Sequence, residues 1–334
     1  MKVLVTGGCG YIGSHTCIEL LNKGYDVIVV DNLINSQIDN ISRVEEITGR
    51  NVKFYRDDIN DKEALRNIFR ENKIDMVIHF SGYKSVGESV KEPLRYYENN
   101  IYSTLCLCEV MNEFGCKNLV FSSSSTVYGK PKKLPIKENY PLNPVNPYGK
   151  TKAIIEGLLS DLYNSDKEWN IIILRYFNAV GAHESGLIGD NPNGIPNNLM
   201  PYIVKVATHE IKELSIFGND YNTPDGTGVR DYIHVVDVAR GHVLALDKLK
   251  KSKGLFTYNL GTGFGYSVLD VIDTFEKVNG VNIKYRMIAR RPGDVAELYA
   301  DTTLSESELG FTTTKTLEDM CRDAYNYAIN NQWG

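Results

Sequence analysis

The chain has 334 residues, of which 42% are hydrophobic and 24% are charged, and its formal net charge is −5. This composition is typical of a globular protein with a sizeable core, and its acidic balance argues against nucleic acid or an anionic membrane as a ligand. The length suggests two domains, or one large α/β unit with an appended lobe.

Apolar runs alternate with helical patterns through the first half of the chain. We predict strands at 2–6, 25–30, 52–55, 76–80, 119–122 and 171–174, with helices such as 13–23 and 61–71 between them. This alternation is typical of an α/β fold with a doubly wound parallel sheet that is covered by helices on both faces. After about residue 178 the pattern loosens, but a helix at 235–247 and a strand at 256–260 could return to the first sheet.

The cysteines and the membrane signals predict where the protein works. Six cysteines, at 9, 17, 106, 108, 116 and 321, are scattered without zinc-type spacing, so we expect reduced thiols and no metal site. The chain shows neither a signal-peptide pattern nor the run of about 18 apolar residues that a membrane helix needs. We therefore expect a soluble cytoplasmic protein.

A glycine array lies between the first strand and the first helix. It reads TGGCGYIG at 6–13, and Gly7, Gly10 and Gly13 are evenly spaced. In this context Gly7 and Gly10 would let the backbone approach a pyrophosphate, and Gly13 would let the helix pack closely on the strand. The helix N-terminus would add N–H donors and its positive dipole end. We predict a dinucleotide site rather than an ordinary glycine turn.

An acidic residue follows the second strand and predicts which dinucleotide binds. Asp31 lies 18 residues after Gly13, where a carboxylate can accept a hydrogen bond from the ribose 2′-hydroxyl of NAD. The same carboxylate would repel the 2′-phosphate of NADP, so we predict NAD. Later strand ends add weaker candidates, among them Phe80, Gly82 and Asn99. Asp58 could meet the adenine, although such a residue is more often a helix N-cap.

A Tyr–Lys pair opens a predicted helix and indicates the chemistry. Tyr148 and Lys152 are four residues apart, so they lie on one helical face. An ammonium next to a phenol, together with an oxidised nicotinamide ring, would lower the phenol pKa and let Tyr148 exchange a proton with a substrate hydroxyl. The run Ser122–Ser125 follows a strand, where a hydroxyl could contact the reacting oxygen. Each feature alone is common, as a surface helix pair or a serine loop.

The chain resembles the extended short-chain dehydrogenase/reductase family, in which the glycine turn, the serine run before VYG and YGKTK at 148–152 are typical. The second half narrows this resemblance to the UDP-galactose 4-epimerases. The matching segments are RYFNAVGAH at 175–183, IPNNLMPYI at 195–203, IFGNDY at 216–221, DGTGVRDYIH at 225–234, NLGTG at 259–263 and RRPGD at 290–294.

The resemblance implies an NAD-dependent isomerase that interconverts UDP-glucose and UDP-galactose. Hydride would pass from C4 of the sugar to bound NAD, and the resulting 4-keto sugar would turn over and take the hydride back on its other face. Tyr148 would be the base, Ser124 would polarise the same hydroxyl, and Lys152 would hold the nicotinamide ribose and lower the pKa of Tyr148. The resemblance also implies a homodimer built by helices near 93–115 and 150–165.

The resemblance further implies two sets of contacts. The cofactor contacts are Gly7, Gly10, Tyr11, Ile12, Gly13, Asp31, Asn32, Asn35, Ser36, Asp58, Ile59, Phe80, Gly82, Lys84, Asn99, Ser122, Tyr148, Lys152 and Tyr176. The substrate contacts are Ser124, Asn178, Asn198, Leu199, Phe217, Arg230, Tyr232, Arg291, Asp294 and Leu298. Arg230 and Arg291 would supply the cations that a diphosphate needs on an acidic protein, although a lone arginine is more often a surface ion-pair partner.

In the family, one position beside the sugar limits the size of the sugar that can bind. In this chain that position aligns with Leu298. A residue smaller than tyrosine there would leave room for a 2-acetamido group, so we expect UDP-GlcNAc and UDP-GalNAc as further substrates. A shift of the alignment by one residue would place Tyr299 there and reverse this expectation.

Other functions remain open. A dehydratase would carry an acidic pair before VYG, where this chain has Ser125 and Thr126, and a decarboxylase would need an extra cation near the sugar. A sugar dehydrogenase would exchange NAD freely, and a non-catalytic NAD sensor would convert no substrate.

We also predict two domains. Residues 1–177 and 233–263 would bind NAD, and residues 178–232 and 264–334 would bind the UDP-sugar.

Overall fold

The computed structural model describes residues 1–191, 196, 198–291 and 294–331. The strands are β1 Lys2–Thr6, β2 Asp26–Val30, β3 Lys53–Tyr55, β4 Met76–His79, β5 Asn118–Ser124, β6 Asn170–Tyr176, β7 Asn178–Val180, β8 Leu214–Phe217, β9 Val229–Arg230, β10 Tyr232–His234, β11 Leu255–Leu260, β12 Tyr266–Ser267, β13 Tyr285–Ile288 and β14 Glu297–Leu298.

Helices cover the sheet and build most of the second half. They are α1 Tyr11–Asn22, α2 Asp39–Thr48, α3 Lys62–Glu71, α4 Val86–Lys91, α5 Pro93–Glu113, α6 Pro147–Ser165, α7 Leu199–Ala207, α8 Val235–Lys251, α9 Val268–Asn279, α10 Thr303–Leu309 and α11 Leu317–Asn330. A 3₁₀ turn, Ser125–Tyr128, follows β5 directly. Among the residues that the structure describes, no helix is long and apolar enough to cross a membrane.

The central sheet has seven parallel strands in the order β11-β6-β5-β4-β1-β2-β3. The strand order reverses between β1 and β4, and in open α/β sheets ligands bind at the carboxyl ends of the strands on either side of such a point. The expected doubly wound sheet is confirmed, and β11 returns to it beside β6 as its outermost strand. The glycine turn after β1 therefore lies at the crevice of the sheet.

Both faces of the sheet are packed with apolar side chains. One core cluster joins β1 and β2 to α1 and α8, and a second joins the opposite face to α3, α5 and α6. A third cluster, built from α7, α9 and α11, belongs to the second half of the chain. Burial of such faces supplies most of the stability of helices of this length, because isolated helices are marginal in water.

The strand predicted at 119–122 is longer in the structure and includes most of the serine run. β5 extends through Ser124, and the backbones of Ser123 and Ser124 pair with Arg175 and Tyr176 of β6. A strand can continue through serines here because their hydroxyls find partners, Glu156 for Ser123 and Thr126 for Ser124. The extension fixes the backbone on which Ser124 stands.

The second half contains short ladders instead of one sheet. β10 pairs with β7, β9 lies between β12 and β14, and β13 pairs with β8. Strands of two to four residues have few ladder hydrogen bonds, so their positions depend on the third core cluster and on side-chain contacts.

Candidate active site

The glycine turn is tightly enclosed at the crevice of the sheet. Gly7 has φ of +70°, and a Cβ atom added to it would lie 3.0 Å from the backbone nitrogen of Ser81. A Cβ on Gly13 would lie 2.3 Å from the carbonyl oxygen of Gly7, which no side chain tolerates. Gly10 is the N-cap of α1 and offers no side chain to its N–H groups. The free donors of α1 are therefore available to an anion.

Asp31 is held at the end of β2 by hydrogen bonds on both carboxylate oxygens. One oxygen accepts from the backbone N–H of Cys9 at 3.0 Å, and the other accepts from the N–H of Leu33 at 2.9 Å and from the hydroxyl of Ser36 at 2.8 Å. The side chain is thus fixed beside the glycine turn. A carboxylate in this position favours a ribose with a free 2′-hydroxyl.

A cleft of about 510 Å³ runs along this edge of the sheet. Every residue of the predicted cofactor set lines it, from Gly7 in the glycine turn to Tyr176 at the end of β6. The interpretation of Asp58 as a helix cap is wrong, because Asp61 caps α3 and Asp58 binds Asn32 and the backbone of Asn60. That these residues hold NAD in the predicted way stays a prediction.

Several lining residues escaped the sequence analysis, among them Asn40, Asp190 and Tyr327. Asp190 lies 3.4 Å from the Lys84 ammonium and so connects a loop of the second half to the wall of the cleft. Asn40 donates to the carbonyl of Cys9 at 2.8 Å, beneath the glycine turn. No motif marks these positions, because they come to the cleft from separate parts of the chain.

Tyr148 and Lys152 lie at the start of α6 and face the cleft. Asn146 caps the helix by accepting from the N–H of Gly149 at 2.8 Å, and Pro147 occupies the first turn. Tyr148 is 9% exposed and Lys152 is 5% exposed. The Lys152 ammonium donates to the carbonyl of Ser122 at 2.7 Å and lies 6.0 Å from the centroid of the Tyr148 ring. The expected pairing on one helical face is therefore present.

The expected lowering of the Tyr148 pKa includes the charge of a bound oxidised nicotinamide, so it stays a prediction; the protein groups alone shift this pKa upward. Burial raises the pKa of Tyr148 to about 12, and a hydrogen bond with Ser124 opposes this rise only in part. Burial likewise lowers the pKa of Lys152 to about 8. Desolvation disfavours the charged form of both groups, and a separation of 6.0 Å from ring to ammonium does not offset it.

Ser124 stands at the junction of β5 and the 3₁₀ turn. Its hydroxyl oxygen accepts from the N–H of Thr126 at 3.2 Å and from the Thr126 hydroxyl at 3.0 Å. These bonds orient the oxygen, and its own proton remains available for Tyr148 or for a substrate oxygen. The third serine of the run is thus the one that interacts with the phenol.

The predicted substrate residues approach this point through successive strand pairs. Ser124 pairs with Tyr176, and two residues later Asn178 pairs with Tyr232 of β10. The neighbouring Arg230 pairs with Leu298 of β14. The chain therefore places Asn178, Tyr232, Arg230 and Leu298 on short paired strands that follow the end of β6.

Two of the predicted substrate arginines contact other predicted substrate residues. The Arg230 guanidinium lies 3.2 Å from the Asp294 carboxylate, and the Arg291 guanidinium stacks 3.9 Å above the Phe217 ring. Burial lowers the pKa of Arg291, but it stays a cation because a guanidinium titrates far above neutrality. Asn198 and Leu199 begin α7. An aromatic face and two arginines suit a base and a diphosphate.

Leu298, the last residue of β14, and Tyr299, which follows it, have different neighbours. Leu298 packs against the cluster that contains Val127 and Phe177. The Tyr299 ring lies against Gly265, where an added Cβ would be 3.3 Å from it. The two side chains therefore occupy different environments.

The doubly wound sheet, the glycine turn and the buried Tyr–Lys pair define an extended short-chain dehydrogenase/reductase. Residues 4–324 match the family model described as GDP-mannose 4,6 dehydratase. The chain is 56% identical to the UDP-glucose 4-epimerase of Bacillus subtilis (strain 168), and the match covers 99% of this chain and 98% of that protein.

Solved structures agree with this relative. The UDP-glucose 4-epimerase of Bifidobacterium longum, in complex with NAD+ and UDP, has a TM-score of 0.96 and 55% identity over 99% of both chains. The enzyme of Stenotrophomonas maltophila, with bound NAD and formylated UDP-arabinopyranose, has a TM-score of 0.98 and 48% identity over 99% of this chain and 98% of its own. The chain therefore belongs to the UDP-glucose 4-epimerase family. The predictions of an NAD-dependent isomerase and of NAD as its cofactor are confirmed by these relatives.

Proposed function

We propose that this enzyme interconverts UDP-glucose and UDP-galactose through a 4-keto sugar. The observation that carries the proposal is the buried pair of Tyr148 and Lys152 that lines the cofactor cleft, with the buried Ser124 hydroxyl bonded to the Tyr148 phenol. NAD, when bound, supplies the acceptor of the C4 hydride and then its donor. The residues of the chain handle the proton, orient the sugar and exclude water.

Tyr148 takes the proton of the 4-hydroxyl as the C4–H bond breaks and the C4–O bond becomes a carbonyl. Because burial raises the pKa of this phenol to about 12, its anion needs positive charge and a hydrogen-bond donor close by. Lys152 supplies the charge and the Ser124 hydroxyl supplies the bond. In the second half of the reaction the same proton returns to the oxygen as hydride adds to the other face of C4.

The UDP group would keep the intermediate bound while the sugar turns. Arg230 and Arg291 suit the diphosphate, Phe217 suits the uracil ring, and Asp294 can accept from a ribose hydroxyl. Asn178, Asn198, Leu199 and Tyr232 would complete the pocket. The Arg230–Asp294 contact of 3.2 Å would then loosen as the phosphate takes over the guanidinium.

Turnover without added cofactor tests the proposal. Purified enzyme is incubated with UDP-galactose alone, and the products are separated by anion-exchange chromatography. We expect UDP-glucose and no accumulation of NADH. Accumulation of NADH would indicate a sugar dehydrogenase instead, and bound NAD without any turnover would indicate a cofactor sensor.

We further propose that the enzyme converts UDP-GlcNAc and UDP-GalNAc. The contacts of Leu298 with the cluster next to Ser124 support this, because leucine is shorter than tyrosine and leaves room beside the sugar. Leu298→Tyr should remove turnover of UDP-GalNAc and keep that of UDP-galactose. Tyr299→Phe is the matched control and should change neither. Failure of the wild-type enzyme to convert UDP-GalNAc at saturation would end this proposal.

We infer a homodimer built by α5 and α6. Its support is a set of exposed apolar side chains on these helices: Leu94 is 81% exposed, and Tyr102, Leu105 and Ile154 lie between 37% and 46%. Ile154→Glu should shift the mass measured by light scattering from dimer to monomer. Ile329→Glu, on α11, should leave that mass unchanged, and a wild-type monomer would contradict the inference.

We also propose the division of the chain into two domains as predicted, with 1–177 and 233–263 for NAD and the remainder for the UDP-sugar. Its support is that β11 continues the first sheet, whereas α7, α9 and α11 share their own core. Hydrogen exchange should show UDP protecting segments of 178–232 and 264–334. Protection by UDP that is confined to 1–177 and 233–263 would contradict this division.

A cytoplasmic location is proposed from the cysteines. All six are free and buried in the structure, so none forms a disulfide. Free thiols are typical of a reducing compartment, whereas disulfides form in oxidising ones. Cell fractionation should recover the activity with cytoplasmic markers, and recovery with membranes would contradict the proposal.

A further inference from the structure

One carboxylate lies buried directly behind the catalytic pair. Glu156 is one helical turn beyond Lys152 on α6 and is 5% exposed. Arg175 of β6 grips it from the opposite side: its Nε lies 3.0 Å and 3.2 Å from the two carboxylate oxygens, and its Nη2 lies 2.6 Å from Oε2. The Ser123 hydroxyl donates to Oε1 as well. The carboxylate is therefore fixed in place rather than free to turn.

The position of Glu156 connects it to the catalytic residues along both the helix and the strand. Tyr148, Lys152 and Glu156 are successive members of one helical face, and residues four apart on a helix are direct neighbours. On β5, Ser122 accepts from Lys152 through its carbonyl, and the next residue, Ser123, donates to Glu156. Two adjacent strand residues thus hold the ammonium and the carboxylate in register.

The remaining groups that face Lys152 carry no negative charge. Lys152 lies 4.8 Å from the centroid of the Phe121 ring and 6.0 Å from that of Tyr148. His79 of β4 is a neutral imidazole, because burial lowers its pKa to about 3. Among the described groups whose charge acts on the Lys152 ammonium, the stabilising one is Glu156, and it opposes the lowering of the Lys152 pKa by burial.

We propose that Glu156 is a positioning residue for the catalytic pair, whose buried charge keeps Lys152 an ammonium while Arg175 and Ser123 hold the carboxylate in place. This rests on the proposed role of Lys152 in the epimerase reaction. A buried lysine without an anion nearby becomes neutral near physiological pH. A neutral Lys152 would then stabilise neither the Tyr148 phenolate nor the cofactor ribose.

The alternative is that the Glu156–Arg175 pair only pins α6 to the sheet. The pair helps to attach α6 to the sheet, since Arg175 also donates to the Tyr128 hydroxyl and to the carbonyl of Glu138, both at 2.9 Å. A purely structural role and an electrostatic effect on Lys152 differ in one measurable respect. Only an electrostatic effect of the Glu156 carboxylate alters the protonation of Lys152.

The test reads Lys152 directly. The protein is labelled with ¹³C-lysine, the Lys152 Cε signal is assigned by its loss in Lys152→Met, and its shift is followed against pH in the wild type and in Glu156→Gln. We expect the titration midpoint to fall by about one pH unit, as for loss of an opposite charge one helical turn away. The alkaline limb of kcat should move down with it in the NAD-loaded enzyme.

Two further variants separate charge from folding. Glu156→Gln with Arg175→Met removes both charges, so it leaves no unpaired buried ion and should fold. Because the positive charge of Arg175 is lost as well, its midpoint should be lowered, but by less than in Glu156→Gln. Ser123→Ala removes one hydrogen bond but keeps the carboxylate, so its midpoint should stay near that of the wild type. An unchanged midpoint in the folded double variant would overturn the proposal. Absence of turnover in the wild type would instead overturn the epimerase function and leave the titration readable.

Discussion

The cofactor side and the substrate side of this active site are built by different physical means. The cofactor cleft rests on seven parallel strands, and its reactive groups are buried on a 19-residue helix. Five of the predicted substrate residues stand on strands of two to four residues. The predicted arginines hold partners within the protein, Arg230 with Asp294 and Arg291 over Phe217. A stiff scaffold suits groups that must stay aligned for hydride transfer, whereas a sugar that turns over needs contacts that can be exchanged.

Removal of the Tyr148 hydroxyl should have the largest effect and should leave binding intact. Because the phenol exchanges the C4 proton, Tyr148→Phe should lower kcat by about 10²- to 10⁴-fold. Bound NAD, measured by absorbance after denaturation, should be retained. Tyr163→Phe, on the same helix but away from the cleft, is the control and should keep full activity. A Tyr148→Phe enzyme with wild-type kcat would contradict the assignment of the base.

The substrate side should respond in KM rather than in kcat. A charge-assisted hydrogen bond contributes about 1.5–3 kcal/mol, so Arg291→Met should raise KM for UDP-galactose by about 10- to 100-fold. The neighbouring Arg290 pairs with Asp220 at the surface, and Arg290→Met should change KM little. If the two variants behaved alike, the stacked Arg291–Phe217 contact would have no special part in binding the substrate.

The smallest predicted effect is on the pH dependence of the unfolding free energy, and it arises from buried histidines on the cofactor side. Burial lowers the pKa of His15 and His79 to about 3 and that of His242 to about 4. Since these pKa values lie below those of the unfolded chain, the stability they contribute is present above about pH 6.5 and is lost as the pH falls toward them. His242→Phe should therefore shrink the loss of unfolding free energy between pH 7.5 and 5.5 by about 1.3 kcal/mol.

Urea unfolding at the two pH values measures this difference. The Nε2 atom of His242 has no hydrogen-bond partner among the described residues, and its ring centroid lies 4.6 Å from that of Phe80. Phenylalanine keeps the ring contact and loses the hydrogen bond of Nδ1 with the Val238 carbonyl at both pH values, so the difference between the two pH values still reports the titration. An unchanged pH dependence in His242→Phe would show that this histidine does not titrate on unfolding as expected.

The same contrast explains how far the sequence alone could lead. Repeated apolar strands and the Gly7–Gly13 turn are local patterns, so the order of the cofactor half and its cleft could be predicted. The extension of β5 through Ser124 could not, because the Ser123 hydroxyl finds its partner in Glu156, which is 33 residues away in the sequence. The contribution of Asp190 was missed for a similar reason, since it approaches Lys84 from 106 residues away.

The raised pKa of Tyr148 is a further property that spacing cannot reveal. A separation of four residues predicts that Tyr148 and Lys152 share a face, but it does not predict how deeply both are buried. In the folded chain burial outweighs the hydrogen bond with Ser124 for Tyr148 and the charge of Glu156 for Lys152. The sign of a pKa shift is decided by that balance, which is a tertiary quantity.

The most direct test of the proposed chemistry follows the hydrogen at C4 itself. UDP-galactose deuterated at C4 is incubated with the enzyme and no added NAD, and the UDP-glucose product is analysed by mass spectrometry and NMR. Internal hydride transfer predicts that the deuterium stays at C4 with inverted configuration. Loss of deuterium to water, or its appearance in released cofactor, would contradict a closed cycle in which the hydride leaves and returns within one cleft.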